Sequence, residues 1–239
     1  MRTNVGTRRL RGFLALWGMV FLPGCLIAQG GFEQELYLQP GDTINLDVGV
    51  GGCCYFILPL PIPALWSVSP IAEGASVNPV TGVLRISPDT PHGSIFTVNA
   101  GARQVTVYIY EPAQNPLVNT WREDAQFECD GGAEVNPEDA ASEIIFLPNG
   151  EFSVTWHPFE VYKDYWGTYI YDLEAGTLEM TIDNGNYIPE DFDGSGTFTV
   201  DDEGRIELHN IWLGMPSYFP VGNDGVTSVV HCGHRLVAY

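Results

Sequence analysis

From residue 32 onward, apolar and polar positions alternate in short runs, and the runs are separated by Gly, Pro, Asn and Asp. A period of two puts one face of a segment indoors and the other in water, as in a half-buried strand. No sustained 3.6-residue apolar period appears, so the pattern predicts an all-β chain. In the first half the expected strands are residues 35–38, 43–48, 64–68, 83–87, 95–99 and 104–110. In the second half they come as hairpins: 144–147 with 152–156, 168–172 with 177–182, and 196–200 with 205–212. One strand at 118–122 precedes them and one at 228–237 follows, making eight in order. Eight strands in consecutive hairpins predict an up-and-down barrel. Phe152, Val154 and Trp156 share a face, as do Leu178, Met180 and Ile182, and Ile206 and Leu208. Their neighbours are mostly polar, so the barrel interior is expected to be apolar.

The segment Glu111-Pro112-Ala113-Gln114-Asn115-Pro116 is polar and bounded by proline, and it divides the chain. The expected domains are residues 32–112 and 115–239. In the first, the run from Ala75 to Ile86 contains Val77-Asn78-Pro79-Val80-Thr81-Gly82-Val83-Leu84. It resembles a hairpin common in bacterial immunoglobulin-like domains, and Trp66 and the closing Val105–Tyr108 fit the same pattern. The resemblance implies an immunoglobulin-like β-sandwich with Trp66 between its sheets, used as a spacer or adhesive module. The apolar, Pro-rich run from Cys53 to Pro63 breaks that pattern. It reads either as packing against the barrel or as an exposed docking loop.

The second domain resembles the bacterial lipocalin-like proteins. Its first strand carries Asn119-Thr120-Trp121, where the family has Gly-x-Trp, so the Trp is present and the Gly is not. The resemblance implies an eight-stranded lipocalin-like barrel in which Arg235, on the last strand, packs over Trp121. It also implies either a bound small apolar molecule or a filled core. Cys129 and Cys232 lie near the two ends of this domain and are expected to pair, which would fasten the last strand near the first, as family disulfides do. Cys53 and Cys54 are adjacent, which leaves free thiols and a vicinal bridge both open.

The first 25 residues change the picture from fold to address. Arg2, Arg8, Arg9 and Arg11 precede an uncharged apolar run, Phe13 to Leu22, that is too short to span a bilayer. The run ends at Leu22-Pro23-Gly24-Cys25, which resembles the lipobox of bacterial lipoproteins. That implies lipidation of Cys25 in the cell envelope, at the outer membrane if the host is Gram-negative. Simple secretion with cleavage after Ala28 is the competing expectation. Beyond Cys25 the chain carries six basic and thirty acidic residues, a formal charge of −24. Such a field repels nucleic acid and anionic lipid headgroups. The membrane is therefore expected to be met only through the lipid, and a basic envelope protein is an admissible partner.

Candidate chemistry is sparse. No Gly-x-Ser-x-Gly, His-Glu-x-x-His or phosphate loop occurs, so no catalytic residue and no cofactor are expected. Asp191, Asp193, Ser195 and Asp202 have an EF-hand-like spacing, but the second half of that stretch alternates as a strand, and no metal is expected. His231-Cys232-Gly233-His234 would send its two histidines to different sides of a strand. The aromatics Trp156, His157, Phe159, Tyr162, Tyr165, Trp166, Tyr169 and Tyr171 span a loop at the barrel rim, where they either line a pocket or plug it. The expected ligand-binding residues are Phe152, Trp156, Tyr162, Trp166, Tyr169 and Met180. The leading expectation is a tethered binding protein whose barrel holds a small apolar ligand. The alternative is an adhesion or scaffold module for an envelope protein or glycan.

Overall fold

The computed structural model describes residues 34–46, 65–69, 74–100, 103–128, 132–135, 137, 140–156, 162–214 and 231–239. The leader with Cys25, the run 53–63 with Cys53 and Cys54, and Cys129, His157 and Phe159 lie outside the described residues. Among the described residues every regular element is a strand, and no helix is long and apolar enough to cross a membrane.

The N-terminal strands are β1 (Gln34–Leu38), β2 (Thr43–Asn45), β3 (Trp66–Ser69), β4 (Ala75–Val77), β5 (Val83–Ile86), β6 (Ile95–Ala100) and β7 (Arg103–Ile109). They form a four-stranded sheet in the order β1-β7-β6-β3 and a three-stranded sheet in the order β2-β5-β4. β1 runs parallel to β7, and the other pairings are antiparallel. Inward residues of both sheets meet in one core of Leu36, Leu38, Trp66, Leu84, Ile86, Phe96, Val98, Val105 and Val107. Trp66 fills this core as the hairpin resemblance implied. The β4–β5 hairpin is closed by Asn78, whose Oδ1 accepts from the amides of Val80 and Thr81, and by Gly82 at φ 65°. Glycine takes that left-handed conformation without a Cβ clash.

The C-terminal strands are β8 (Asn119–Glu128), β9 (Glu134–Val135), β10 (Glu143–Phe146), β11 (Glu151–Thr155), β12 (Tyr165–Asp172), β13 (Thr177–Gly185), β14 (Ser195–Val200), β15 (Ile206–His209) and β16 (His231–Ala238). From β10 to β16 each strand pairs antiparallel with the next, and β16 pairs with β8. β10 then returns to β8 through Ile144 opposite Trp121, which closes an eight-stranded barrel. Closure removes the open edges that a sheet otherwise exposes. β9 adds a two-residue strand to β8 beyond the reach of β10. At one end of the barrel lie the tight turns 147–150, 173–176 and 201–204. At the other lie the C-terminal ends of β8, β11, β13 and β15, from which the longer connections leave.

Trp121, Ile144, Phe146, Phe152, Val154, Tyr165, Tyr169, Leu178, Met180, Phe198, Ile206, Leu208 and Leu236 form one buried cluster. β15 stops at His209 rather than running to Trp212, because Asn210 adopts φ 58° and turns the chain. Trp212 pairs instead with Asp193 across the long-loop end.

Candidate functional site at the long-loop end of the barrel

Alternation along β8 sends Trp121, Glu123 and Ala125 into the barrel. On β16, His234 and Leu236 point the same way. Both strands carry register shifts, and the shift between Arg235 and Leu236 sets Leu236 opposite Glu123 and His234 opposite Gln126. Glu123 and His234, 111 residues apart in sequence, therefore meet inside the barrel.

His234 Nδ1 lies 2.5 Å from Glu123 Oε1, and the two side chains are 1 and 2 % exposed. The Leu213 amide donates to His234 Nε2 at 3.1 Å, so this nitrogen carries a lone pair and the proton sits on Nδ1. The imidazole is neutral and donates to the Glu123 carboxylate. The second carboxylate oxygen, Oε2, accepts from the Ala141 amide at 2.8 Å. Trp212 stacks on the imidazole with centroids 5.0 Å apart and an 18° tilt, and its indole N–H donates to Asp191 Oδ2 at 2.7 Å. The Tyr165 hydroxyl donates to the Leu213 carbonyl at 2.7 Å. Burial pushes the Tyr165 phenol up, with Asp164, Glu123 and Asp191 adding to the effect. Asp164, itself buried, accepts from the Trp156 amide at 2.8 Å.

This network ties the connections at the long-loop end to the barrel wall. Ala141 holds the one after β8, Asp191 and Asp193 the one after β13, and Trp212 and Leu213 the one after β15. Both imidazole nitrogens are engaged inside the protein, so His234 as folded has no free nitrogen for a substrate or a metal. Sequence reading did not bring these residues together. The available signal was Glu123, a carboxylate at an inward position of an otherwise apolar strand face.

The residues singled out from the sequence do not form one cluster. Phe152, Trp156, Tyr169 and Met180 are buried inside the barrel, in contact with other side chains. Trp156 and Tyr165 stand near the long-loop end, their rings 5.5 Å apart. Tyr169 and Tyr171 stand at the opposite end, where the Tyr169 hydroxyl donates to Leu147 O and that of Tyr171 to Gln114 O. Trp166 is half-buried on the outer wall opposite Ser153, and Tyr162 is 70 % exposed. A surface groove of 330 Å³ is lined mainly by outer-wall residues, among them Ile170, Thr177, Glu179 and Ser195.

One structural expectation needs correction, and one spacing does not converge. Arg235 does not lie over Trp121: it points outward and binds Asp124 and Glu134, each through two nitrogen–oxygen contacts of 2.7–3.1 Å. Trp121 points inward, and its indole N–H donates to Leu117 O at 2.6 Å. The EF-hand-like set is pulled apart as well. β14 lies between Asp193 and Asp202, six extended residues or about 20 Å. Asp191 binds Trp212, Asp193 accepts from the Ser195 amide, and Asp202 lies in the turn at the other end. Among the described residues no group of three or more His, Cys, Asp or Glu is arranged to hold a metal ion. Cys232 is disulfide-bonded, and Glu128, the residue before Cys129, lies opposite His231.

No protein-family model matches the chain, and no curated protein matches it. Among solved structures it is similar to a multidomain protein including DUF1735 from Bacteroides ovatus, at 10 % identity over 89 % of this chain and 90 % of that one, with a TM-score of 0.27. A second Bacteroides ovatus structure, described as of unknown function, matches at 11 % identity over the same shares, with a TM-score of 0.26. The molecule is defined by its own architecture: an all-β chain with a sandwich of two small sheets and a closed eight-stranded barrel.

Proposed function

We propose that this chain is an exported recognition module of the cell envelope, tethered through Cys25, whose barrel serves as a rigid platform for a protein or glycan partner. The observation that carries this reading is the filled interior: Phe146, Phe152, Tyr165, Tyr169, Met180 and Phe198 are each at most 4 % exposed and occupy the space a lipocalin-like ligand would need. An eight-stranded barrel is just wide enough to be filled by side chains or to hold one small ligand, and the number of large buried rings favours the first. The immunoglobulin-like sandwich is the spacer. A second reading, a small apolar ligand inside the barrel, draws support from the closed wall and the apolar lining.

Native mass spectrometry of the full exported chain separates the two. The platform reading expects a mass that matches the processed polypeptide and its modifications alone. A co-purifying small molecule that disappears in Met180→Trp, which blocks the interior, would instead establish the ligand binder.

A further inference from the structure

We infer that the buried Glu123–His234 pair is an acid-sensitive latch that holds the Trp212–Leu213 segment against the barrel wall. The argument begins with the tautomer. His234 Nε2 is an acceptor for the Leu213 amide, and Nδ1–H is a donor to Glu123. A second proton on the ring can go only to Nε2, which turns an acceptor into a donor facing another N–H. The Leu213 amide then loses its partner in a buried place, where an unpaired amide is costly. Histidine is the side chain whose charge ordinarily changes under mildly acidic conditions.

The consequences follow the hydrogen bonds outward. Leu213 is held from both sides, by His234 at its amide and by Tyr165 at its carbonyl. Its neighbour Trp212 stacks on the same imidazole and is bonded to Asp191 and, through the backbone, to Asp193. Release of Leu213 therefore loosens Trp212, and with it the join between the segments around Asp193 and Trp212.

Around the imidazole, the charged and titratable groups are Glu123 on β8, which it bonds, Asp191, which bonds the stacked Trp212, and Tyr165 on β12, which bonds Leu213, with Asp164 just before it. β15 presents the apolar Leu208 opposite His234.

The test is hydrogen exchange of the full exported chain across a pH series, corrected for the intrinsic pH dependence of exchange, with ¹⁵N NMR of the histidine rings alongside. Protection of the Leu213 amide and the Trp212 indole should fall at least tenfold as His234 Nε2 takes up a proton, while amides of β10–β13 stay protected. In His234→Gln, whose side-chain oxygen can still accept from Leu213, that step should vanish. Protection that persists until the whole barrel unfolds, or a step that survives in His234→Gln, overturns the latch. If the variant fails to fold, the ring spectra of the unaltered chain decide. His234 remaining in its Nδ1–H form down to global unfolding also overturns the proposal.

Discussion

At the scale of single residues, the barrel depends on positions where a side chain would not fit. Gly167 is the clearest. A Cβ there would lie 1.8 Å from the Thr181 carbonyl oxygen, a backbone atom that cannot swing aside. The register of β12 against β13 shifts between Trp166 and Gly167, and this close approach is what that irregularity requires. Gly167→Ala should therefore force the two strands apart and cost about 3 kcal/mol, the upper end for overpacking. The midpoint of chemical denaturation would reveal it, and an unchanged midpoint would mean that the strands can separate freely. Composition shows that glycine is plentiful, but only the paired register says which glycine is indispensable. The meeting of His234 with Glu123 presents the same problem. Alternation placed apolar residues indoors correctly, yet the face of each polar residue near a bulge depends on where the register slips. That slip is a cross-strand property invisible in one strand's pattern.

At the scale of elements, strand positions were legible because each has its own alternation and its own turn residues. The hairpins β10–β11, β12–β13 and β14–β15 appear where Asn149-Gly150, Ala175-Gly176 and Glu203-Gly204 predict turns, and Gly150, Gly176 and Gly204 all have positive φ. β9 was not legible, since two residues carry no period. It is held to the barrel by a cross-strand clamp in addition to its ladder. Arg235 on β16 reaches over β8 to bind Glu134 on β9 and Asp124 on β8. Hydrogen bonds from Arg235 hold the Glu134 carboxyl below the usual carboxylate range. A carboxyl depressed in the folded state stabilises above its unfolded pKa, and the benefit is lost as pH falls through the lower folded value. Arg235→Gln should thus raise exchange at Glu134 and Val135 at neutral pH. The difference from the parent should shrink toward strong acid and in high salt, because Glu134 is solvent-exposed. A difference that ignores both pH and salt would assign the role of Arg235 to packing rather than charge.

At the scale of the whole molecule, the question is what orients the barrel. Along β1, Leu36 and Leu38 enter the sandwich core, while Tyr37 between them points the other way and packs with Tyr110 and Leu147. Leu147 begins a short turn of the barrel, so the sandwich meets the barrel at its short-turn end. Glu35 organises the junction, accepting from the Tyr37 hydroxyl at 2.5 Å, the Tyr108 hydroxyl at 3.3 Å and the Asn149 side-chain amide at 3.2 Å. Burial and Glu35 together push the Tyr37 phenol up, so it remains a donor. His92 accepts from the Glu111 amide, and Tyr171 from the barrel donates to Gln114 O, which fastens the linker as well. A junction on the short-turn side leaves the Glu123–His234 pair at the end of the barrel away from the N-terminal sandwich. Glu35→Ala removes one acceptor and leaves three donors to find others, a cost of about 1–3 kcal/mol for a buried group left unpaired. Each unit keeps its own apolar core, so the loss should fall on their coupling. Scanning calorimetry should show one unfolding transition in the parent and two in Glu35→Ala, with cleavage by added protease rising in residues 111–116. If Glu35→Ala instead melts as one unit at a lower temperature, the apolar contact of Tyr110 with Leu147 is enough to keep sandwich and barrel together, and Leu147→Asp becomes the substitution that should part them.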